Sequence, residues 1–185
     1  MDKRSSFFTQ LIETGQFLID EKGHAILLGE YLLLIPPSVI LKLQGILEKE
    51  LGKNKAEKIM SELGEVQIEK ALERYVKRYK ISKLDKIKIA DFGMKIFSSI
   101  GWGQASFKSF SFQKKTADII LKDNMLCLKY KELYKKLSKQ PIDFFICGMI
   151  KKVCERWLEA NMEVKEIKCL ACGDLYCEFQ AEPKS

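Results

Sequence analysis

Three of the chain's six cysteines fall within nine residues, at Cys169, Cys172 and Cys177, around a Gly173-Asp174 turn. Apolar residues alternate on both sides of that turn, so the stretch from Val164 to Phe179 predicts a β-hairpin carrying sulfur on both arms. Two roles fit such sulfur: a metal site, or small buried cysteines packing a sheet.

The hairpin by itself offers too few ligands for a closed zinc site, which needs four. Strand alternation puts Cys169 and Ala171 on one face and Leu170 and Cys172 on the other, so Cys172 points away from the site or sits in the turn. Cys169 and Cys177 lie on opposite arms and can face each other. Glu166 is three residues before Cys169, and a bulge or the strand's entry is needed to bring it to the same face. Another ligand must come from elsewhere, and the helix expected after Pro141 offers Asp143, Cys147 and Cys154 at i, i+4 and i+11. A first-turn carboxylate such as Asp143 also suits plain capping of helix N–H groups. Burial as small hydrophobes is the simpler role for Cys147 and Cys154.

A chain of 185 residues, 31% charged and 46% apolar, suits one globular domain spanning residues 1–185. No apolar run reaches membrane-span length, and no signal-peptide core follows the charged start. A cytoplasmic location is expected, and with it thiols or thiolate ligands rather than disulfides. The net charge of +7 raises the question of nucleic acid. Lysines and glutamates are interspersed along the expected helices, however, which fits solvated faces with charge pairs and argues against it. Usage rich in Lys, Glu and Ile, with a single histidine, fits a thermostable protein.

In order, the pattern predicts a short helix or irregular lead-in over Phe7–Leu18 and a hairpin of Ala25–Leu28 with Tyr31–Ile35. Next come a helix over Ser38–Leu51 and a long helix capped by Asn54 that Gly64 interrupts. A further helix runs from Ser82 to Ile100. Ser106–Phe112 alternates as a strand with one aromatic face, and Ala117–Leu121 is a second strand. Asn124–Tyr134 fits a strand or a helix. His24 is read as a turn residue. Gly101-Trp102-Gly103 is a G-x-G that follows a helix and lacks the third glycine of a dinucleotide fingerprint, so no nucleotide site is expected there. The fold class is α+β, with helices packed on an antiparallel sheet.

The run Pro141-Ile142-Asp143-Phe144-Phe145-Ile146-Cys147-Gly148, with Glu166-x2-Cys169 and Gly173-Asp174-x2-Cys177-x-Phe179, resembles the vinyl-4-reductase domain family. The Gly23–Pro37 hairpin and the Gly101–Gly103 turn agree with its layout. That family includes the sensor domains of aromatic-responsive transcription activators and a protein associated with bacteriochlorophyll biosynthesis. The resemblance implies the NO-signalling/Golgi-transport ligand-binding fold, homodimer formation and a pocket for a small hydrophobic molecule. It also implies zinc, held at the positions of Asp143, Glu166, Cys169 and Cys177. The sensor members carry cysteine where this chain has Asp143. Carboxylate can ligate zinc, and Cys147, one helical turn later, is the substitute.

Three functions follow as expectations. The first is non-catalytic binding or sensing of an aromatic or hydrocarbon-like molecule, in a pocket lined by Trp102, Phe107, Phe110, Phe112, Phe144 and Phe145, with zinc as structural clamp. Each of those aromatics taken singly also fits plain core. The second is an enzyme or accessory protein in reduction of a tetrapyrrole vinyl group. No nucleophile–base pair or catalytic residue stands out for it, although an iron–sulfur cluster on the cysteines would supply redox chemistry. The third is a dimeric assembly module acting through a partner protein.

Overall fold

A four-stranded antiparallel sheet carries the C-terminal hairpin in the computed structural model, which describes residues 5–27, 29–78, 86–99 and 101–184. Its strands are β4 (Gln104–Ser111), β5 (Thr116–Lys122), β6 (Met162–Lys168) and β7 (Cys177–Pro183), in the order β4-β5-β7-β6. The hairpin expected around Gly173-Asp174 is therefore β6–β7, with β7 inserted beside β5. A 3-10 turn at Leu170–Cys172 tightens the connection, and Gly173 takes φ 110°, a left-handed value that suits glycine. Alternation places Ala117, Ile119 and Leu121 of β5 with Cys177, Phe179 and Ala181 of β7 on one buried face.

The aromatic strand departs from simple alternation. Phe107 and Phe110 are three residues apart, so a regular strand would point them to opposite faces. A bulge between Phe107 and Ser109 corrects the phase: Phe107 pairs with buried Ile119, and Phe110 with buried Ala117. The Phe107 and Phe110 ring centroids are 4.8 Å apart, and those of Phe110 and Phe112 4.7 Å, both edge-on. Lys108, at the bulge, reaches the buried Glu178 carboxylate at 2.6 Å, and Lys168 approaches its other oxygen at 2.9 Å.

Six helices among the described residues complete the layers. α6 (Phe144–Leu158) lies on β6 and β7, α3 (Lys53–Arg78) lies on α6, and α4 (Lys86–Ser99) covers β4. α2 (Pro37–Leu51) packs on α3 and on α5 (Met125–Tyr134). α3 runs unbroken through Gly64, contrary to the expected interruption. That glycine permits a close crossing, because a Cβ there would strike the backbone carbonyl of Phe145 in α6. Gly148 answers it from α6 against the carbonyl of Ser61. Lys151–Glu65 at 2.8 Å and Lys152–Glu69 at 2.7 Å tie the same two helices at their rim.

Other boundaries shift for local reasons. Asn54 lies inside α3, which starts at Lys53, rather than capping it. The expected helix start at Ser82 and end at Ile100 fall outside the described residues. Asn124–Tyr134 resolves as helix, because Asn124 is an N-cap whose side chain accepts from the N–H groups of Leu126 and Cys127. α6 begins at Phe144, later than Pro141, with Asp143 at its N-cap. At the N-terminus α1 (Ser5–Glu13) ends before β1 (Phe17–Ile19), which joins β2 (Ala25–Leu27) and β3 (Glu30–Leu32) in a three-stranded antiparallel sheet. His24 stays at the β1–β2 turn, where its Nδ1 lies 3.0 Å from Asp20 Oδ2.

The G-x-G is the α4–β4 turn. At Gly103 (φ 129°) a Cβ would crowd the carbonyl oxygens of Lys122 and Asp123, which accounts for the glycine structurally. Between the glycines, Trp102 lies against Phe145 at 5.5 Å and Phe97 at 6.5 Å, and its carbonyl accepts from Met125 N–H at 3.2 Å. No helix among the described residues is long and apolar enough to cross a membrane.

Candidate metal centre

Five potential ligand atoms, from Cys127, Asp143, Glu166, Cys169 and Cys177, lie within 4.8 Å of one another. Each arrives by a separate piece of local structure. Cys127 sits in the first turn of α5, presented by the Asn124 cap. Asp143 stands at the start of α6, yet its side chain makes no capping hydrogen bond and turns into the cluster instead. Glu166 is brought round by a bulge in β6, where the register with β7 shifts between Glu166 and Lys168. Cys169 ends that arm and Cys177 begins the returning strand.

The contacts are dense. Cys127 Sγ lies 3.7 Å from Cys169 Sγ, 3.6 Å from Cys177 Sγ and 3.2 Å from Asp143 Oδ2. Asn124 Nδ2 donates to Asp143 Oδ2 at 2.6 Å and to Cys177 Sγ at 3.3 Å, and Leu170 N–H donates to Cys177 Sγ at 3.3 Å. Glu166 Oε2 accepts the Asp143 N–H at 3.1 Å. Asp174 Oδ2 accepts the Cys169 N–H at 2.8 Å, which fixes the turn below the sulfurs. Cys127, Asp143 and Cys177 are fully buried and Cys169 nearly so.

Crowding shapes the electrostatics. Burial, with the neighbouring Cys169 charge, pushes the Asp143 carboxyl up to about 6. Burial and the Asp143 charge push Glu166 up to about 11. Hydrogen bonds from the Cys127 and Cys177 thiols hold Cys169 well below the ordinary thiol range, and the same bond to Cys169 pushes Cys127 up.

The donor set fits a metal ion on a structural observation. Asp143 Oδ1 and Glu166 Oε1 are buried with no hydrogen-bond partner. A buried carboxylate oxygen without a partner is costly, and a cation among three sulfurs would satisfy both. Mixed thiolate and carboxylate donors suit zinc.

The expected ligands Asp143, Glu166, Cys169 and Cys177 are therefore brought together. Cys147, the proposed substitute, is buried in α6 outside the five-atom cluster, and burial raises its thiol well above the usual range. Cys154 is likewise buried, pushed up to about 12 by desolvation. Cys172, half-buried in the 3-10 turn, stays outside the cluster, as alternation indicated. Cys127 is the residue that sequence reasoning missed. The signal for it was Asn124, which as an N-cap would have made the following segment a helix and aimed its first turn at the same place.

The aromatics expected to line a pocket fall into two groups. Trp102 stacks with Phe145 and Phe97 beside α4 and α6, while Phe107, Phe110 and Phe112 form a row on the sheet. Phe144 is half-buried at the start of α6.

Comparison with known proteins agrees on the segment. Residues 122–183 match the V4R domain model. No curated protein matches. Among solved structures, the phenol-responsive sensory domain of the transcription activator PoxR, in complex with phenol, is similar with a TM-score of 0.80 at 13% identity. The match covers 99% of this chain and 91% of that one. A trafficking protein particle complex subunit 3 from Naegleria fowleri, covalently bound to palmitic acid, gives 0.54 at 14% identity, covering 80% and 95%. A vinyl-4-reductase family protein from Methanocaldococcus jannaschii gives 0.51 at 19% identity, covering 83% and 85%. At such identities the likeness is one of fold, and the α+β architecture is shared. The expected resemblance is met where its motifs lie: the V4R match covers about a third of the chain, and every donor of the cluster lies within the matched residues.

Proposed function

We propose that the chain acts as one non-catalytic domain that binds or senses a small aromatic or hydrocarbon-like molecule. A zinc ion in the cluster of Asp143, Glu166, Cys169 and Cys177 clamps the C-terminal hairpin to α6. The observation that carries the metal reading is the pair of buried, partnerless carboxylate oxygens facing three sulfurs. Burial supports a structural role over a reaction centre, because four of the five donors are buried and only Glu166 is half-buried. The ligand reading draws support from the V4R match and from the shared fold of a phenol-responsive domain. Two apolar groups, half-buried Trp102 with buried Phe145 and the row of Phe107, Phe110 and Phe112, with half-buried Phe144 at the start of α6, are the surfaces such a molecule would use.

Elemental analysis and an absorption spectrum of protein purified without added metal test the clamp. The expected result is a colourless protein with about one zinc per chain. A brown chromophore would instead favour an iron–sulfur centre and the vinyl-reduction alternative, and metal-free protein of equal heat stability would defeat the clamp. For the ligand, melting is followed across a phenol titration. Saturation at 100 times the dissociation constant stabilises by about 2.7 kcal/mol, so a clear upward shift is expected. No shift with phenol or larger monocyclic aromatics, together with no apolar compound in native mass spectra of gently purified protein, would overturn it.

A further inference from the structure

We infer that Cys127, in the first turn of α5, is itself a metal ligand. Three thiolates (Cys127, Cys169 and Cys177) and one carboxylate oxygen of the Asp143–Glu166 pair then close a four-coordinate site. The inference rests on the metal reading above and deepens it by putting a ligand from a third element of the fold in place of one of the two carboxylates.

Spacing is the first argument. Sulfurs about 2.3 Å from a common tetrahedral ion stand about 3.8 Å from one another. Cys127 Sγ lies 3.7 and 3.6 Å from the other two sulfurs. Its contact with a carboxylate oxygen, 3.2 Å from Asp143 Oδ2, is the second. A cysteine buried as a small hydrophobe packs against carbon, whereas this one touches three of the other four donors and is fully covered.

The third argument is support. One buried side chain, Asn124, holds the helix start that presents Cys127 and donates to both Asp143 and Cys177. An outer partner that orients several donors at once is how protein metal sites fix their ligands. Charge is the fourth. Three thiolates and one carboxylate put four negative charges around a divalent ion, and a set dominated by sulfur favours thiophilic ions over calcium or magnesium. The consequence is mechanical: α5 is tied to α6 and to the β6–β7 hairpin through the ion.

Cobalt(II) substitution of the full chain tests the assignment, because near-ultraviolet thiolate-to-cobalt absorption scales with the number of sulfurs bound. Wild type is expected to show an intense band. Cys127→Ser should lower it by about one third, the change from three sulfurs to two, and weaken cobalt binding at least tenfold. Cys172→Ser should leave both unchanged. Cadmium-113 NMR of the wild-type chain needs no variant, and scalar coupling is expected from the ion to the β-protons of Cys127, Cys169 and Cys177. Coupling to Cys169 and Cys177 without Cys127, or an undiminished band in Cys127→Ser, would overturn this assignment while leaving the clamp standing. Failure of wild type to bind either ion would overturn both.

Discussion

Asn124 joins the two ends of the site through one amide. Its carbonyl oxygen accepts from Leu126 N–H at 3.0 Å and Cys127 N–H at 3.5 Å, and its NH2 donates to Asp143 and Cys177. Losing the cap costs about 1 kcal/mol, and leaving buried acceptors without a donor costs about 1–3 kcal/mol. Asn124→Ala is therefore expected to destabilise the metal-free protein by about 2–4 kcal/mol in urea unfolding. Asn124→Asp keeps the capping oxygen but sets a carboxylate against Asp143. It should lose no less than the alanine variant, and an aspartate variant as stable as wild type would show that only the cap matters. At this scale the sequence was informative where spacing is local. Cys169, Cys177 and Glu166 share one hairpin, so strand alternation exposed both their relation and the bulge that Glu166 requires. Cys127 stayed hidden because its partners are distant in sequence and no local period links them. Asp143 was readable as either cap or ligand, and its side chain makes no capping hydrogen bond but meets Asn124 in the cluster.

Among the helices, the α3–α6 crossing is where a single methyl matters most. A Cβ at Gly148 would meet the backbone carbonyl of Ser61, and backbone cannot swing aside as a long side chain does. The Gly148→Ala variant gains about 1 kcal/mol of helix propensity, against overpacking of about 1–3 kcal/mol or more where the helices must part. Net destabilisation is expected in a denaturant melt. Gly45→Ala in α2, where nothing lies within 4 Å of the added Cβ, should be neutral or stabilising by up to about 1 kcal/mol. Equal effects at the two sites would refute the close-crossing account. This also explains why Gly64 misled a reading by pattern: a glycine in a helix looks like a break until the neighbouring helix is known. The β4 bulge escaped notice in the same way, since the partner strand reveals it. A second expectation concerns α5. If the ion ties that helix in, chelation should raise amide exchange through Met125–Tyr134 and the β6–β7 connection more than in α3. Uniform exchange changes, or none in α5, would argue that Cys127 is not anchored through metal.

Across the whole molecule the surface is uneven. Charged residues on α3 form pairs such as Lys53–Glu57 at 3.3 Å and Lys58–Glu62 at 3.9 Å. Large apolar side chains instead stand out in β1, in β3 and the segment after it, and on α2: Ile19, Tyr31, Leu33, Leu34, Val39 and Ile46 are exposed, with Leu33 at 85%. Exposed apolar side chains in such number mark a candidate interaction surface. A second copy of the chain is the occupant we propose, consistent with the dimer that the family resemblance implies. Sedimentation equilibrium is then expected to give twice the 21.4 kDa chain mass. Covering one leucine is worth about 1.5–3 kcal/mol, and a symmetric pair would count each site twice. Leu33→Asp with Leu34→Asp should therefore weaken the dimer by several orders of magnitude, giving monomer at micromolar concentration with zinc content unchanged. The unchanged zinc is what makes the test discriminating, because the exposed leucines and the buried cluster belong to different layers of the fold. A wild-type chain that sediments as monomer would assign this apolar face to a different protein or to the apolar ligand itself.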